Sequence, residues 1–427
     1  MNSPHEAMWQ KLGLNLDSHN ALLQVLGGAY NDIYLNQKNR PKEMEYFDFV
    51  LSEIHGQRIQ ELLDEQAAGR KIIGSYCVFV PEEISLAGNA SLVGLCSGAD
   101  FAMEEVEKLL PRNTCALIKS TFGFRLGEVC PYLESADMIV GENTCDGKKK
   151  AYETLGTILP KKNLYVMDIP QMKSVEGRAL LRGEYVRFMK AVEKLTGVTI
   201  TVESLREGIR TVNTKRAAMH RLLKLRAADP APISGLDALL ANQVFPSDNP
   251  ARFTESINKL CDELEKRVEA KEGAFPAKTP RILISGCPMA VPNWKLPAVV
   301  ESSGAVIVGE ESCVGERCTR NQIDDSGTTI DELIDAITDR YFKVDCAIFT
   351  PNNDRLQHIK EMVKAYNADG VIHYGLQFCQ PYLMESIPVE RALEDAEIPC
   401  LRVETDYSME DMGQLKTRVE AFIEQLR

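Results

Sequence analysis

A texture that occurs twice constrains this chain most: short apolar runs of strand length, separated by amphipathic helices. From about residue 71, KIIGSYCVFV, SLVGLC, ADMIVG and LYVMDIP read as strands, with helices around FAMEEVEKLL and DGKKKAYETLG between them. From about residue 280, RILISGCP, AVIVGEES, VDCAIFTP, DGVIHYG and IPCLRVETDY repeat the pattern, with LQHIKEMVKAYNA and MGQLKTRVEAFIEQL among the helices. Strands joined by helical crossovers lie parallel, and the helices cover both faces of the sheet. Each run therefore predicts an open parallel α/β domain of Rossmann or flavodoxin type. Apolar residues at three- and four-residue spacing predict a helical N-terminal arm over 1–70 and a helical connector over 176–275. The expected organisation is arm 1–70, first α/β domain 71–175, connector 176–275 and second α/β domain 276–427. Asp146 is expected to cap the helix it opens. The basic stretch Lys215–Arg226 reads as a solvated helix face.

Charge narrows the partners. Among 427 residues, 49 basic against 62 acidic side chains leave a net charge of −13, which disfavours nucleic acid and an anionic membrane as partners. No apolar run reaches the length of a membrane span. The N-terminal MNSPHEAMWQKLGLNLDSHN lacks a basic-then-apolar signal pattern. These features predict a soluble, cytoplasmic protein.

Twelve cysteines are many for a cytosolic chain, where thiols stay reduced and disulfide frameworks are rare. No CxxC pair is present, which argues against a zinc ribbon or a thioredoxin-like site. Buried structural thiols, scattered reactive thiols and thiolate ligation of a soft metal or iron–sulfur centre remain as readings. Placement favours the last. Cys96, Cys145, Cys313 and Cys379 each follow a strand, and ligands in open α/β sheets bind beyond the carboxyl ends of strands. A thiol facing a helix N-terminus is also biased toward thiolate, the form that binds metal. Cys77, Cys261 and Cys400 read as core residues. Cys287, in GCPM, is open between a ligand and a turn-forming role. ADMIVGENTCDG and ADGVIHYGLQFCQP echo each other, each running through a strand to a cysteine at the next helix start.

No G-x-S-x-G, Walker A or H-E-x-x-H sequence offers another chemistry. The residues alone thus predict a two-domain α/β protein holding a thiolate-bound centre between its domains.

The segment LPRNTCALIKSTFGFRLGEVCPYLESADMIVGENTCDGKKKAYE resembles the 2-hydroxyacyl-CoA dehydratase and benzoyl-CoA reductase family. So do SGCPM, GEESCVGERC, VDCAIFTPN, ADGVIHYGLQFC and the tail from PCLRVETDYS. The resemblance spans about 71–175 and 280–427. It implies low-potential electron transfer, with an ATP-hydrolysing iron–sulfur activator as partner and a small-molecule substrate. The family's usual [4Fe–4S] cluster would fall to Cys115, Cys145 and Cys379. With Cys130, Cys313 and Cys346 added, the chain most resembles the double-cubane cluster proteins. There an [8Fe–9S] cluster takes six thiolates, here Cys115, Cys130 and Cys145 with Cys313, Cys346 and Cys379. A homodimer is expected, acting as a reductase. The alternative is a lyase subunit, a 2-hydroxyacyl-CoA dehydratase with one [4Fe–4S] cluster. Cys96, Cys287 and Cys318 could replace one of the six. Lys119, Lys148 and Lys149 could offset cluster charge, and His373 and Tyr374 could deliver protons.

Overall fold

The computed structural model describes residues 3–159 and 162–427. Their strands form two four-stranded, wholly parallel sheets, as the repeated texture predicts. The first contains β1 (Lys71–Ser75), β2 (Ala90–Gly94), β3 (Met138–Glu142) and β4 (Asn163–Met167) in the order β2-β1-β3-β4. The second contains β5 (Arg281–Gly286), β6 (Val306–Glu311), β7 (Gly370–Leu376) and β8 (Cys400–Thr405) in the order β6-β5-β7-β8. The two domains thus repeat one topology. In each, the chain leaves the first strand to one side and later returns to its other side. This opens a crevice beyond the carboxyl ends of the two central strands, where such sheets place ligands. β3 and β7, the strands of the two echoing segments, occupy equivalent central positions.

Two strand assignments change. VDCAIFTP forms a turn-rich loop, and β7 takes the place beside β5. The loop satisfies its backbone elsewhere: Thr350 N–H donates to Gln171 O at 2.9 Å, and Asn352 Nδ2 donates to Cys346 O at 3.0 Å. In KIIGSYCVFV, β1 stops at Ser75, and Cys77 N–H turns to Glu142 Oε1 at 3.1 Å. Cys77 is therefore a strand-end residue rather than part of a strand.

Of the helices before β1, those carrying Tyr30, Tyr34 and Phe47 are built into the second domain's core, whereas Gln57–Ala67 packs Ile59 and Leu62 into the first domain's core. Tyr34 and Phe47 are fully buried; Tyr34 stacks on Tyr30 and meets Trp294 edge-on, with ring centroids 5.2 Å apart for the latter pair. Arg40 donates to Asp237 of the connector at 3.0 Å.

The connector bridges both domains through Val202–Leu225, and its basic stretch is solvated only in part, at Arg221 and Lys224. Lys215, Arg216 and Arg226 are buried because each meets a carboxylate. Lys215 Nζ lies 3.0 Å from Glu82, Arg216 lies 2.7 Å from Glu83, and Arg226 lies 2.6 Å from Glu310. Glu82 and Glu83 open a first-domain helix, whereas Glu310 lies at the end of β6. Such close approach requires Gly208, where a Cβ would stand 2.5 Å from Glu83 O. Buried pairs of this kind specify an arrangement more than they stabilise it, but removing one partner strands a charge. No helix among the described residues is long and apolar enough to cross a membrane.

A thiol-lined cavity between the two domains

The carboxyl ends of both sheets face each other. Across this junction, Ala116 N–H of the first domain donates to Gln377 O of the second at 3.2 Å, and Gly98 N–H donates to Val291 O at 2.9 Å. The loops enclose a cavity of about 150 Å³. Eight cysteines line it: Cys77, Cys96, Cys115 and Cys145 from the first domain, and Cys313, Cys318, Cys346 and Cys379 from the second. All are free thiols.

Local structure explains their positions. Cys115, Cys145 and Cys379 are the N-caps of Ala116–Leu126, Asp146–Ile158 and Gln380–Glu394. Cys145 takes the capping role expected of Asp146: its Sγ accepts from Lys148 N–H at 3.5 Å. Helix N-termini leave amides unpaired and carry partial positive charge, which suits sulfur approaching thiolate character. Cys379 follows Phe378, whose φ of 62° puts a bulky residue in the left-handed region. This costly conformation, at a site rich in chemistry, turns the chain sharply from β7 into the helix.

The thiols gather in two groups that cross the domain boundary. In one, Cys115, Cys145 and Cys379 share both the cavity wall and an adjoining cleft. In the other, Cys77 and Cys96 of the first domain join Cys313, Cys318 and Cys346 of the second on the cavity wall. Grouping by half, as the sequence suggests, would instead have joined Cys379 to Cys313 and Cys346. Burial pushes Cys96 and Cys346 up to about 11. Cys313 is the exception: the Cys77 thiol and the Arg317 guanidinium hold it down to about 6 against its burial.

Charge around the cavity is organised. Arg317 donates to Cys313 Sγ at 3.3 Å, to Glu311 Oε1 at 3.1 Å and to the Tyr382 hydroxyl. Arg355 takes the other Glu311 oxygen at 2.9 Å and also binds Glu385. Of the three lysines expected to offset cluster charge, only Lys148 lines the cavity. Its Nζ donates to Tyr76 O at 3.2 Å. Burial opposes its charge, but Tyr152, Cys96, Cys77 and Glu142 more than compensate and raise its pKa. Lys119 instead pairs with Glu107 at 2.9 Å, and Lys149 is exposed. Burial lifts Glu142 to about 7, so this carboxyl can retain a proton beside Cys77.

A cleft of about 880 Å³ adjoins one group only. Cys115, Cys145 and Cys379 line both cleft and cavity, whereas Cys77, Cys96, Cys313, Cys318 and Cys346 line the cavity but not the cleft. Leu109, Ile348, Phe349, Pro381 and Met384 give the cleft much apolar surface, with Asn113, Gln171 and Gln380 as neutral polar groups and Asp146, Lys150 and Glu385 as charged ones.

Other candidates fall elsewhere. Cys130 caps Pro131–Ser135 and lines a neighbouring cavity. Cys287 is buried outside the cavity, and its Sγ accepts from Leu376 N–H at 3.3 Å. Its position depends on Gly286, at φ 139°, where a Cβ would stand 2.0 Å from Tyr374 O. Cys261 and Cys400 lie away from the cavity. His373 and Tyr374 are buried on β7 and line neither cavity nor cleft. His373 Nε2 meets Tyr382 O at 3.2 Å, and Tyr374 OH accepts from Asn293 at 2.9 Å. Burial lowers His373 to about 4, leaving it neutral. The sequence pattern hides Cys77; its signal is Pro81, which starts a helix too soon for a strand through Val80.

Among the described residues, no three His, Cys, Asp or Glu side chains converge as they would around a single metal ion. The thiols are distributed around a space instead. That distribution fits a polynuclear iron–sulfur cluster, in which each protein thiolate binds a different iron. The donor set fits as well: soft sulfur, no disulfide, and buried thiols that lose their protons most readily to a cation.

The fold and site together define a two-domain parallel α/β protein built around an interdomain nest of thiols. Residues 77–426 match the family described as 2-hydroxyglutaryl-CoA dehydratase, D-component, and the chain belongs to that family. Its relatives include the "Putative dehydratase subunit YjiM" of Escherichia coli, 39% identical over 371 residues that cover 86% of this chain and 94% of the relative. The (R)-phenyllactyl-CoA dehydratase beta subunit of Clostridium sporogenes is 26% identical, over 84% of this chain and 93% of its own length. A benzoyl-CoA reductase subunit of Thauera aromatica is 22% identical, over 85% and 92%.

Proposed function

We propose that this chain is the electron-accepting iron–sulfur component of an ATP-dependent reductase, with a double-cubane [8Fe–9S] cluster in the interdomain cavity. The observation that carries this reading is the gathering of eight free thiols on one cavity, three of which also line the cleft. Cys115, Cys145 and Cys379 would hold one cubane, and Cys77, Cys313 and Cys346 the other. Cys77 replaces Cys130 because Cys77 lines the cavity and contacts Cys313, whereas Cys130 does not line it. When bound, such a cluster supplies low-potential electrons to substrate.

The chain's own residues set the conditions for that chemistry. Arg317 and Lys148 supply buried positive charge beside the thiols. Cys115, Cys145 and Cys379 stand at helix N-termini, and at Cys145 the Lys148 N–H reaches the sulfur, a kind of bond that tunes potential. The cleft admits a small substrate to the Cys115 side, and its apolar wall limits water there. ATP hydrolysis belongs to the partner, an iron–sulfur ATPase dimer, since this chain carries no Walker A sequence. The component is a cytoplasmic homodimer.

A second reading has a specific basis. The cleft touches only Cys115, Cys145 and Cys379, the set that a dehydratase subunit with one [4Fe–4S] cluster would use, and several relatives carry dehydratase names. Iron and acid-labile sulfide per chain, measured after anaerobic purification, separate the readings. About eight irons are expected for the double cubane and about four for the dehydratase subunit. Zinc, or no metal, would refute both.

A further inference from the structure

Beside the thiol cavity lies another of about 120 Å³. It shares Gly94, Cys96, Pro246 and Val314 with the thiol cavity and no residue with the cleft. Half-exposed Leu26, Phe124 and Pro292 form its outer wall, and buried Leu95 lies further in. The cavity therefore runs from the protein surface to the Cys96 thiol.

Most of its lining is apolar or already hydrogen-bonded. His55 is bound to His19 at 3.0 Å and Ser97 to Ser120 at 2.9 Å. Gln243 spends both ends of its amide, on Met289 O at 2.7 Å and on Trp294 Nε1 at 2.8 Å. The Tyr132 and Ser247 hydroxyls and His55 Nε2 make no hydrogen bond among the described residues and could hold a water between them, whereas the stretch along Leu26, Leu95, Pro292 and Val314 offers water no side-chain partner. Apolar cavities of roughly this size stay dry and take up xenon.

The geometry points to a second, apolar entrance: a passage by which small uncharged molecules, of the size of diatomic gases, reach the thiol cavity without using the cleft. Charged or larger solutes are confined to the cleft, which meets the opposite group of thiols. That the passage leads to a metal cluster rests on the function proposed above; the passage itself does not.

Crystals of the full-length protein pressurised with xenon test the passage directly. A xenon site against Leu26, Leu95 and Val314 is expected, whether or not iron is bound. An ordered water chain there, or no xenon, would overturn the proposal. The second test follows the bleaching of the cluster's visible absorption in the anaerobically prepared holoprotein. Leu26→Trp is expected to slow bleaching by dissolved oxygen severalfold, and Leu26→Ala to accelerate it. Bleaching by ferricyanide, an anion too charged for the passage, should be unchanged in both. Equal effects on the two oxidants, or none on oxygen in either variant, would refute the access role. Failure of the cluster reading would appear separately, as an iron count of zero.

Discussion

Arg317 donates from one guanidinium to both the Cys313 sulfur, at 3.3 Å, and the Glu311 carboxylate, at 3.1 Å. A buried thiol, carboxylate and cation are thus locked together at the end of β6, and Arg355 closes the other side of Glu311. Arginine suits this position because its planar fork serves several acceptors at once. Arg317→Met would leave Glu311 with a single cation in a dry interior. A loss of about 3–5 kcal/mol is expected, read by denaturant unfolding under anaerobic conditions, and Arg317→Lys should recover only part of it. Unchanged stability in the Met variant would mean that Arg355 alone suffices for Glu311.

The two competing assignments of the sixth thiol separate by composition. Cys77→Ala is expected to lose part of the bound iron, and Cys130→Ala to keep the wild-type amount, with both variants remaining folded by circular dichroism. The reverse pattern would restore Cys130 to the ligand set and remove Cys77.

Lys148 contributes its charge on the cavity wall. Lys148→Met removes a cation that favours the reduced, more negative state. The midpoint potential should move to more negative values by roughly 59 mV, a tenfold change for one electron, in an EPR-monitored redox titration. A shift in the positive direction would contradict this placement of charge.

Glu301 gives a pH dependence independent of the thiols. Burial raises its pKa to about 7, although Gly235, Ile307 and Leu236 N–H groups donate to it. The folded state therefore holds this proton more tightly than the unfolded chain, whose value is near 4.5. The associated stabilisation is complete below about 4.5 and is lost as pH rises through about 7, for a total of about 3 kcal/mol. Glu301→Gln stays neutral and keeps an acceptor oxygen. The stability of wild type relative to the variant should therefore fall across that window in denaturation curves taken at several pH values. Parallel curves would exclude the proton.

Much of the fold was legible because strand and helix signals are local. Apolar runs bounded by turns announced each of the eight strands, with β1 alone drawn well past its end, and Cys145, Cys313 and Cys379 were visible at strand ends. VDCAIFTP misled because an apolar run of strand length looks alike whether it enters a sheet or lines a cavity. Cys77 was hidden by the opposite error: its run continued the apolar pattern of β1 past the point where Glu142 captures the Cys77 amide. Lys215 and Arg216 read as solvated because their carboxylates, Glu82 and Glu83, lie more than 130 residues away in the chain.

By itself the sequence determined two parallel α/β units, a helical connector between them and a set of thiols positioned beyond strand ends, since periodicity and strand-to-helix turns depend on near neighbours. Only the tertiary structure decided which thiols meet. Cys379 shares the cleft with Cys115 and Cys145, and Cys77 and Cys96 share the remaining cavity wall with Cys313, Cys318 and Cys346, because the two sheets face each other at their carboxyl ends. It also decided that one group opens onto the cleft while the other lies behind it. Both outcomes depend on how two domains close around a cavity, which is a property of contacts distant in sequence and therefore absent from any local pattern.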